Sequence, residues 1–301
     1  MKPALMIITG CTGSGKSDII QQIPMDWPIT IINADSRQIY RELTIGTAIP
    51  SVAERSRFPH RLFATVSIVE KYSAGRFIKD ARLEIDQSLA EKRVPVLVGG
   101  TFFYIRSLLE GIAPEVEIPA ELAKQAEAMS LPALKEKLAN VDPGFLQDKI
   151  QDRRRLERAY SYSVAAHSPF SQAPRTGGIG EKMDVQLYEV YRERAEVYQR
   201  INDRVQKMFS AGLLAEAINV SKQFPNAPGL DTIGYREIQA RLAAGLDPYA
   251  EKEEIAAEIA QNTRRFAKRQ STWFRSEKRI KRFDHDSFLH ELDIQIKNIG
   301  R

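Results

Sequence analysis

An apolar run that ends in a glycine-rich turn and then a helix is the tightest constraint in this chain. Ala4-Leu5-Met6-Ile7-Ile8-Thr9 leads into Gly10-Cys11-Thr12-Gly13-Ser14-Gly15-Lys16-Ser17, which fits G-x-x-x-x-G-K-[ST] at every position. The glycines let backbone N–H groups turn inward around an anion, and Lys16 adds a mobile positive charge. The helix that starts near Lys16 presents its positive dipole end, and Ser17 is the residue type that holds Mg²⁺ there. Residues 10–17 are therefore expected to bind a di- or triphosphate.

P-loop proteins that cleave triphosphates hold Mg²⁺ with an Asp at the end of a second apolar strand. Here the best candidate strand, Val94-Pro95-Val96-Leu97-Val98, ends in Gly99-Gly100-Thr101 with no carboxylate. A carboxylate comes instead from Ile29-Thr30-Ile31-Ile32-Asn33, which runs into Asp35-Ser36-Arg37-Gln38-Ile39-Tyr40. An Asp just past the C-terminal end of a parallel strand shares a rim with the P-loop. Three roles stay open for Asp35: metal ligand, helix N-cap, or general base beside the phosphate site.

A chain of 301 residues, 43% hydrophobic and 28% charged, is an ordinary globular composition with room for one large domain and a smaller one. Its one cysteine, Cys11, excludes disulfides within the chain and zinc sites of several thiolates. Positive charge around the phosphate loop would lower the Cys11 pKa, but its expected role is that of a spacer. The four histidines are scattered, without metal-ligand spacing. The first strand begins at Ala4, which leaves no room for a signal or transit peptide, and no apolar run approaches about 18 residues. A cytosolic protein with no membrane contact is expected. The net charge of +5 acquires meaning only through its distribution.

Residues 1–111 alternate strands and helices. The clearest helix runs from about Ala74 to Lys92, with Phe77, Ala81, Ile85 and Leu89 at intervals of four. This alternation predicts an α/β fold with a parallel sheet flanked by helices. Over 112–182 the pattern changes to helical stretches (119–139 and 143–166), followed by a Ser-, Pro- and Gly-rich segment, 168–180, with the composition of a mobile loop. The strand Val185–Val190 resumes the α/β pattern. Residues 112–182 thus read as a helical insertion in a core formed by 1–111 and 183–301.

The remainder is helical: a helix around Tyr198–Met208 that ends near Gly212, a short one after Gly234, and a third from about Pro248 to Phe274. On the third, Ile259, Thr263, Phe266, Ala267, Gln270, Trp273 and Phe274 share one sector at 100° per residue, with Arg264, Arg265, Lys268, Arg269 and Arg275 opposite. Lys278, Arg279, Lys281 and Arg282 continue the charge, giving nine basic residues against one acid in 264–282. A solvated helix face usually mixes signs, so a nucleic-acid patch is the favoured reading. Arg153-Arg154-Arg155 with Arg158 form a second basic cluster, for which spacing alone leaves both readings open.

Together these segments resemble the tRNA dimethylallyltransferase (tRNA isopentenyltransferase) family over most of the chain. Gly10–Ser17 is similar to G-P-T-A-S-G-K-[ST]. Asp35–Tyr40 with Ile45-Gly46-Thr47-Ala48 is similar to D-S-R-Q-V-Y…I-G-T-A-K-P. Val98-Gly99-Gly100-Thr101-Phe102-Phe103-Tyr104 with Leu108–Gly111 matches V-G-G-T-x-x-Y…L-L-x-G. Arg200-Ile201-Asn202-Asp203-Arg204-Val205 matches R-I-x-x-R-V, Ile233–Glu237 resembles I-G-Y-K-E, and Thr263–Arg275 is close to T-R-x-[YF]-A-K-R-Q-x-T-W-[FL]-R. A P-loop alone is generic; this ordered set is specific. The chain departs from the pattern at Cys11 (usually Pro), at Ile49 (usually Lys), and at Ala123, where the family commonly has an arginine that meets tRNA. The insertion segment Lys149–Ala159 is a shorter version of the family's basic motif.

The resemblance implies a P-loop NTPase-like core and transfer of a dimethylallyl group from dimethylallyl diphosphate to N6 of adenosine 37, 3′ of the anticodon, in tRNAs reading codons that begin with U. It implies Mg²⁺ as cofactor, held at Ser17, and a monomer whose partner is the tRNA anticodon stem-loop. Thr12 and Arg204 would reach the diphosphate, Asp35 would take the N6 proton, and Thr101 would hydrogen-bond the incoming nucleotide. Ser36, Arg37 and Gln38 would contact tRNA, as would the positions of Ala123, Arg154, Arg155, Arg158, Arg264, Lys268 and Arg269. Prenylation of a free adenosine phosphate, a P-loop small-molecule kinase and a non-catalytic RNA-binding relative are the alternatives.

Overall fold

The computed structural model describes residues 2–147, 152–285 and 287–292, so Lys149, Ile150 and Gln151 of the insertion motif lie outside the described residues. The chain divides into two compact units, Met1–Leu108 with Gly180–Arg301, and Leu109–Ile179.

The first unit starts with β1 (Ala4–Thr9) and α1 (Lys16–Gln22), then β2 (Ile29–Asn33), α2 (Val52–Arg55), β3 (His60–Arg61), α3 (Ala74–Ala90), β4 (Val94–Val98) and α4 (Phe102–Glu110). Strands β1 and β2 are mostly apolar, interrupted only by Thr9, Thr30 and Asn33, as expected where helices cover both faces of a parallel sheet. Leu5, Met6, Ile7 and Ile8 are accordingly fully buried. Helix α3 starts where the Ser73 side chain accepts a hydrogen bond from Arg76 N, and it buries Phe77, Ile78, Ala81 and Ile85.

The second unit holds α5 (Ala120–Ala128), α6 (Leu131–Val141) and α7 (Arg153–Ala165). The helix expected over 119–139 is thus two helices. Ser130 caps the second through a bond from Ala133 N, and Pro132 sits in its first turn, where its missing N–H costs nothing. The helix expected over 143–166 begins only at Arg153, capped by Asp152; Phe145–Gln147 forms a single 3₁₀ turn. Segment 168–180 is better anchored than its composition suggests. Phe170 packs against Tyr162 and Phe145, and the buried Asp142 carboxylate accepts Ser171 N at 2.7 Å.

Returning to the first unit, the chain forms β5 (Asp184–Tyr191), α8 (Arg194–Ser210), α9 (Leu213–Gln223), α10 (Arg236–Ala243), α11 (Lys252–Ser276) and β6 (Lys281–Asp284). Among the described residues, six strands make one parallel sheet in the order β3-β2-β4-β1-β5-β6. The short edge strands β3 and β6 carry no alternating apolar pattern and are not legible in the sequence. Lys281 and Arg282, expected to continue the basic run beyond the helix, lie in β6, where Arg282 Nε pairs with buried Glu189 at 2.7 Å. Arg279 pairs with Glu277 at 2.8 Å, so the basic run is partly neutralised beyond α11. The inward stripe of α11 includes Ile259, Ala267, Gln270 and Phe274, whereas Trp273, at the margin of that sector, stays 36% exposed.

The strand order puts the C-terminal ends of β2, β4 and β1 side by side. The three motifs that follow these strands therefore share one rim, where ligands of open parallel sheets bind.

Candidate active site

The phosphate loop is shaped by glycines and held by cations. Gly13 and Gly15 have φ of 83° and 98°, a region that side chains disfavour. Helix α1 makes its first bond from Ile19 N to Gly15 O, so the N–H groups of Lys16, Ser17 and Asp18 stand at an open helix N-terminus. The loop's carbonyls are held by cationic side chains. Lys16 Nζ donates to Gly10 O at 2.8 Å and to Cys11 O at 3.0 Å, Arg200 Nε to Gly13 O at 2.9 Å, and Arg192 Nε to Ser14 O at 3.0 Å. Arg200 is tied in turn to Asp18. Not every N–H of residues 13–17 faces inward, since Ser14 N closes a turn onto Cys11 O at 3.1 Å. What is left of the loop is a nest for an anion.

Burial pushes the Lys16 ammonium below the ordinary lysine range, against the pull of neighbours that include the Asp35 carboxylate. Arg204 is lowered by burial too, and Asp35 opposes it. One carboxylate thus acts on both cations. The Cys11 thiol moves opposite to expectation: burial raises its pKa and outweighs the charge of Lys16. Its side chain packs with Val197, Ile201 and Ala267, the work of a spacer between the loop and two helices.

The end of β4 forms the floor between the loop and Asp35, and a side chain at Gly99 would run into backbone there while one at Gly100 would displace the Gln270 amide. A Cβ on Gly99 would lie 2.2 Å from Ala34 C and 2.7 Å from Asp35 N; one on Gly100 would lie 2.4 Å from Gln270 Nε2. The Gln270 amide bridges this floor to the loop, donating to Gly100 O at 2.7 Å and accepting from Thr12 N at 2.9 Å. With β4 between β2 and β1, the strand that leads to Asp35 runs two strand spacings, about 10 Å in the sheet, from the strand that leads to the phosphate loop.

Asp35 is fixed by uncharged partners. Asn33 Oδ1 accepts Asp35 N at 2.8 Å, while Asn33 Nδ2 donates to Asp35 O and Leu62 O. Asp35 Oδ1 accepts Arg37 N at 2.8 Å, and among the described residues Oδ2 takes no protein hydrogen bond. Residues 36–39 form turns, not a helix, so the N-cap role falls away and Asp35 closes an Asx turn. Thr101 Oγ1 accepts Ser36 N at 3.0 Å and donates to Ser36 Oγ at 3.3 Å, which steadies the same turn. Gln38 Nε2 donates to Thr47 O and Ala48 O. Arg204 Nη1 points at Thr12 Oγ1, 3.5 Å away, and Nη2 donates to Thr47 O at 3.2 Å.

The remaining basic candidates lie on α11 and, in the helical unit, on α7. On α11, Arg265, Lys268 and Arg269 are exposed and Arg264 is half-buried, with Nη1 donating to Asn202 Oδ1. In the helical unit, Arg154 and Arg158 are exposed on α7, and Arg155 lies over the Phe145 ring with 5.6 Å to its centroid. Arg153 serves the fold, donating to the carbonyls of Glu127 and Met129. Ala123 offers only a methyl group on α5. Asn33, Arg192, Arg200 and Gln270 are the residues that motif reading gave no role. Gln270 meets Thr12 across 258 positions, and no local pattern marks such a pairing.

Among the described residues no group of three or more His, Cys, Asp and Glu side chains could hold a metal ion. The exposed Ser17 hydroxyl beside the anion cradle suits Mg²⁺ all the same, because that ion commonly arrives on phosphate oxygens and keeps several waters. Glu189, in register with Thr9 next to the loop, is committed to Arg282.

A family model described as IPP transferase matches residues 38–277. The tRNA dimethylallyltransferase of Streptococcus mutans is 37% identical over 284 residues, 92% of this chain and 90% of its own length. That of Geobacter sulfurreducens is 35% identical over 288 residues, 93% of this chain and 91% of its own. Among solved structures, the tRNA isopentenylpyrophosphate transferase of Bacillus halodurans superposes with a TM-score of 0.73 at 27% identity, covering 99% of this chain and 97% of that one. No helix among the described residues is long and apolar enough to cross a membrane.

Proposed function

This chain belongs to the IPP transferase family, and from that premise we propose that it transfers a dimethylallyl group from dimethylallyl diphosphate to N6 of adenosine 37 in tRNAs reading codons that begin with U. The carrying observation is the placement of Asp35 after a strand two strand spacings from the one that leads to the phosphate loop, with Lys16 and Arg204 both within its field. A diphosphate, a five-carbon group and the edge of an adenine fill such a gap.

In this reading the leaving diphosphate lies in the loop. The N–H groups at the start of α1, the Lys16 ammonium and Arg204 stabilise the charge that develops as the allylic C–O bond breaks. Preorganised donors of this kind are worth roughly 3 kcal/mol each. Lys16 moves from its carbonyl contacts to the anion, whose charge restores the ammonium that burial disfavours. Mg²⁺, held by Ser17 and the substrate's own oxygens, would neutralise further diphosphate charge.

Adenine N6 is a weak nucleophile because its lone pair is delocalised into the ring. Asp35 accepts its proton as the C–N bond forms, a contribution of roughly 10²- to 10⁴-fold. The target base must leave the stack to reach this carboxylate, which costs least in a single-stranded loop. Ser36, Arg37, Gln38 and Thr101 line its approach, while the exposed cations of α11 and α7 take tRNA phosphates. The chain acts as a monomer.

Incubation with unmodified tRNA, Mg²⁺ and dimethylallyl diphosphate, followed by mass analysis of the nucleosides, tests the proposal. Prenylated adenosine at position 37 is the expected product. Transfer to AMP but not to tRNA would assign the chain to free-nucleotide prenylation instead.

A further inference from the structure

Glu216 lies in the first turn of α9, where an acid ordinarily favours its own helix N-terminus. Its carboxylate instead reaches the turn Thr44-Ile45-Gly46-Thr47, some 170 positions earlier in the sequence. Oε1 accepts Ile45 N at 2.9 Å, Oε2 accepts Thr44 N at 3.3 Å, and Thr44 Oγ1 donates to Oε2. The Tyr235 hydroxyl also donates to Oε1, and it accepts Gly46 N at 3.0 Å. Burial first, and then the Glu216 charge, push this phenol far above its ordinary range, so it stays a donor. Gly46 is tied to the same clasp: a Cβ there would lie 2.5 Å from Tyr235 Cε2.

The seated turn has a definite output. Its Thr47 carbonyl accepts both Arg204 Nη2 at 3.2 Å and Gln38 Nε2 at 3.1 Å. The next residue, Ala48, is held at a φ of 50°, a left-handed conformation that a non-glycine residue adopts only when its surroundings impose it. A carboxylate receiving this many donors is a strong local clamp, because charge-assisted hydrogen bonds are about twice as strong as neutral ones.

We propose that Glu216 and Tyr235 are positioning residues, which seat the Thr44–Thr47 turn so that its last carbonyl orients Arg204 toward the diphosphate and Gln38 toward the RNA. The inference rests on the prenyl-transfer reading for what the two ends bind, and on hydrogen-bond geometry for the coupling between them.

The test is a double-mutant cycle on the full chain with inorganic diphosphate as probe, followed by calorimetry, with steady-state prenyl transfer to tRNA as a second readout. Glu216→Gln is expected to weaken diphosphate binding about tenfold, and kcat/KM for dimethylallyl diphosphate by at least as much. In an Arg204→Gln background the same change should cost less than about twofold, because residues acting through one another are not additive. Multiplying losses would overturn the proposal and leave Glu216 a purely structural residue. Should Glu216→Gln not fold, as judged by circular dichroism, Tyr235→Phe keeps the ring and removes only the hydroxyl, and it carries the same cycle. A wild-type chain that binds diphosphate with the coupling intact but does not prenylate tRNA would refute the functional reading and leave the positioning role standing.

Discussion

The two ends of the rim are built with opposite chemistry. At the phosphate loop, cationic side chains hold the backbone: Lys16, Arg192 and Arg200 bind carbonyls of residues 10 to 14. At the acceptor end the holders are neutral, with Asn33 gripping both backbone atoms of Asp35 and Thr101 gripping Ser36 N. In the proposed reaction the loop receives a polyanion and loses nothing by being surrounded with positive charge, and the carboxylate accepts a proton, for which neutral holders suffice. On that proposal the same task, immobilising a turn, is solved by different residues because the two ligands differ.

The largest effect should come from the acceptor end. Asp35→Ala is expected to lower single-turnover prenyl transfer by about 10³-fold or more, while tRNA affinity stays within a few fold. Near-normal turnover in a quench experiment would remove Asp35 from catalysis and erase the contrast. An intermediate effect is expected where a cation is used as a brace. Arg200→Gln should raise KM for dimethylallyl diphosphate roughly tenfold with little change in kcat, the pattern of lost uniform binding. An equal fall in kcat would show that Arg200 acts on the transition state itself. The smallest effect belongs to the exposed cations of α11, where Arg269 lies over the Phe266 ring, 5.7 Å from its centroid, and neither Lys268 nor Arg269 forms an ion pair among the described residues. Lys268→Gln and Arg269→Gln should each reduce the salt slope of tRNA binding by about one, measured by filter binding across ionic strengths. Unchanged slopes would return this face of α11 to ordinary solvated surface.

What could be read without coordinates followed the local character of each signal. The strand before Gly10, the helix over 74–90 and the basic face of α11 are short-range patterns, and each stands near its expected bounds. The break at Ser130–Pro132 is marked by a capping residue and a proline inside the stretch read as one helix. The edge strands β3 and β6 contain His60-Arg61 and Lys281-Arg282 and resemble surface loops, because pairing on one side alone asks for little hydrophobicity. The braces were the least legible. Gln270, Asn33 and Glu216 are polar residues whose partners were chosen by the fold. The apolar sector of its helix and the apolar strand marked Gln270 and Asn33 as inward-facing, but nothing local named what either would bind, and nothing next to Glu216 distinguishes it from solvent-facing neighbours. Even Cys11 misled, since its surroundings hold a lysine nearby and yet exclude water from the thiol.

The paired glycines after β4 also bear on what this protein could become. Their missing side chains leave room for the Ala34–Asp35 backbone beside Gly99 and for the Gln270 amide beside Gly100. An acidic residue introduced at position 99, as a triphosphate hydrolase would want, would meet the Ala34–Asp35 backbone and could enter only by displacing the segment that carries Asp35. One at position 100 would first meet the Gln270 amide that ties this floor to the phosphate loop. Redesign at position 99 toward nucleotide hydrolysis would therefore disturb the proposed acceptor carboxylate before it gained a new one.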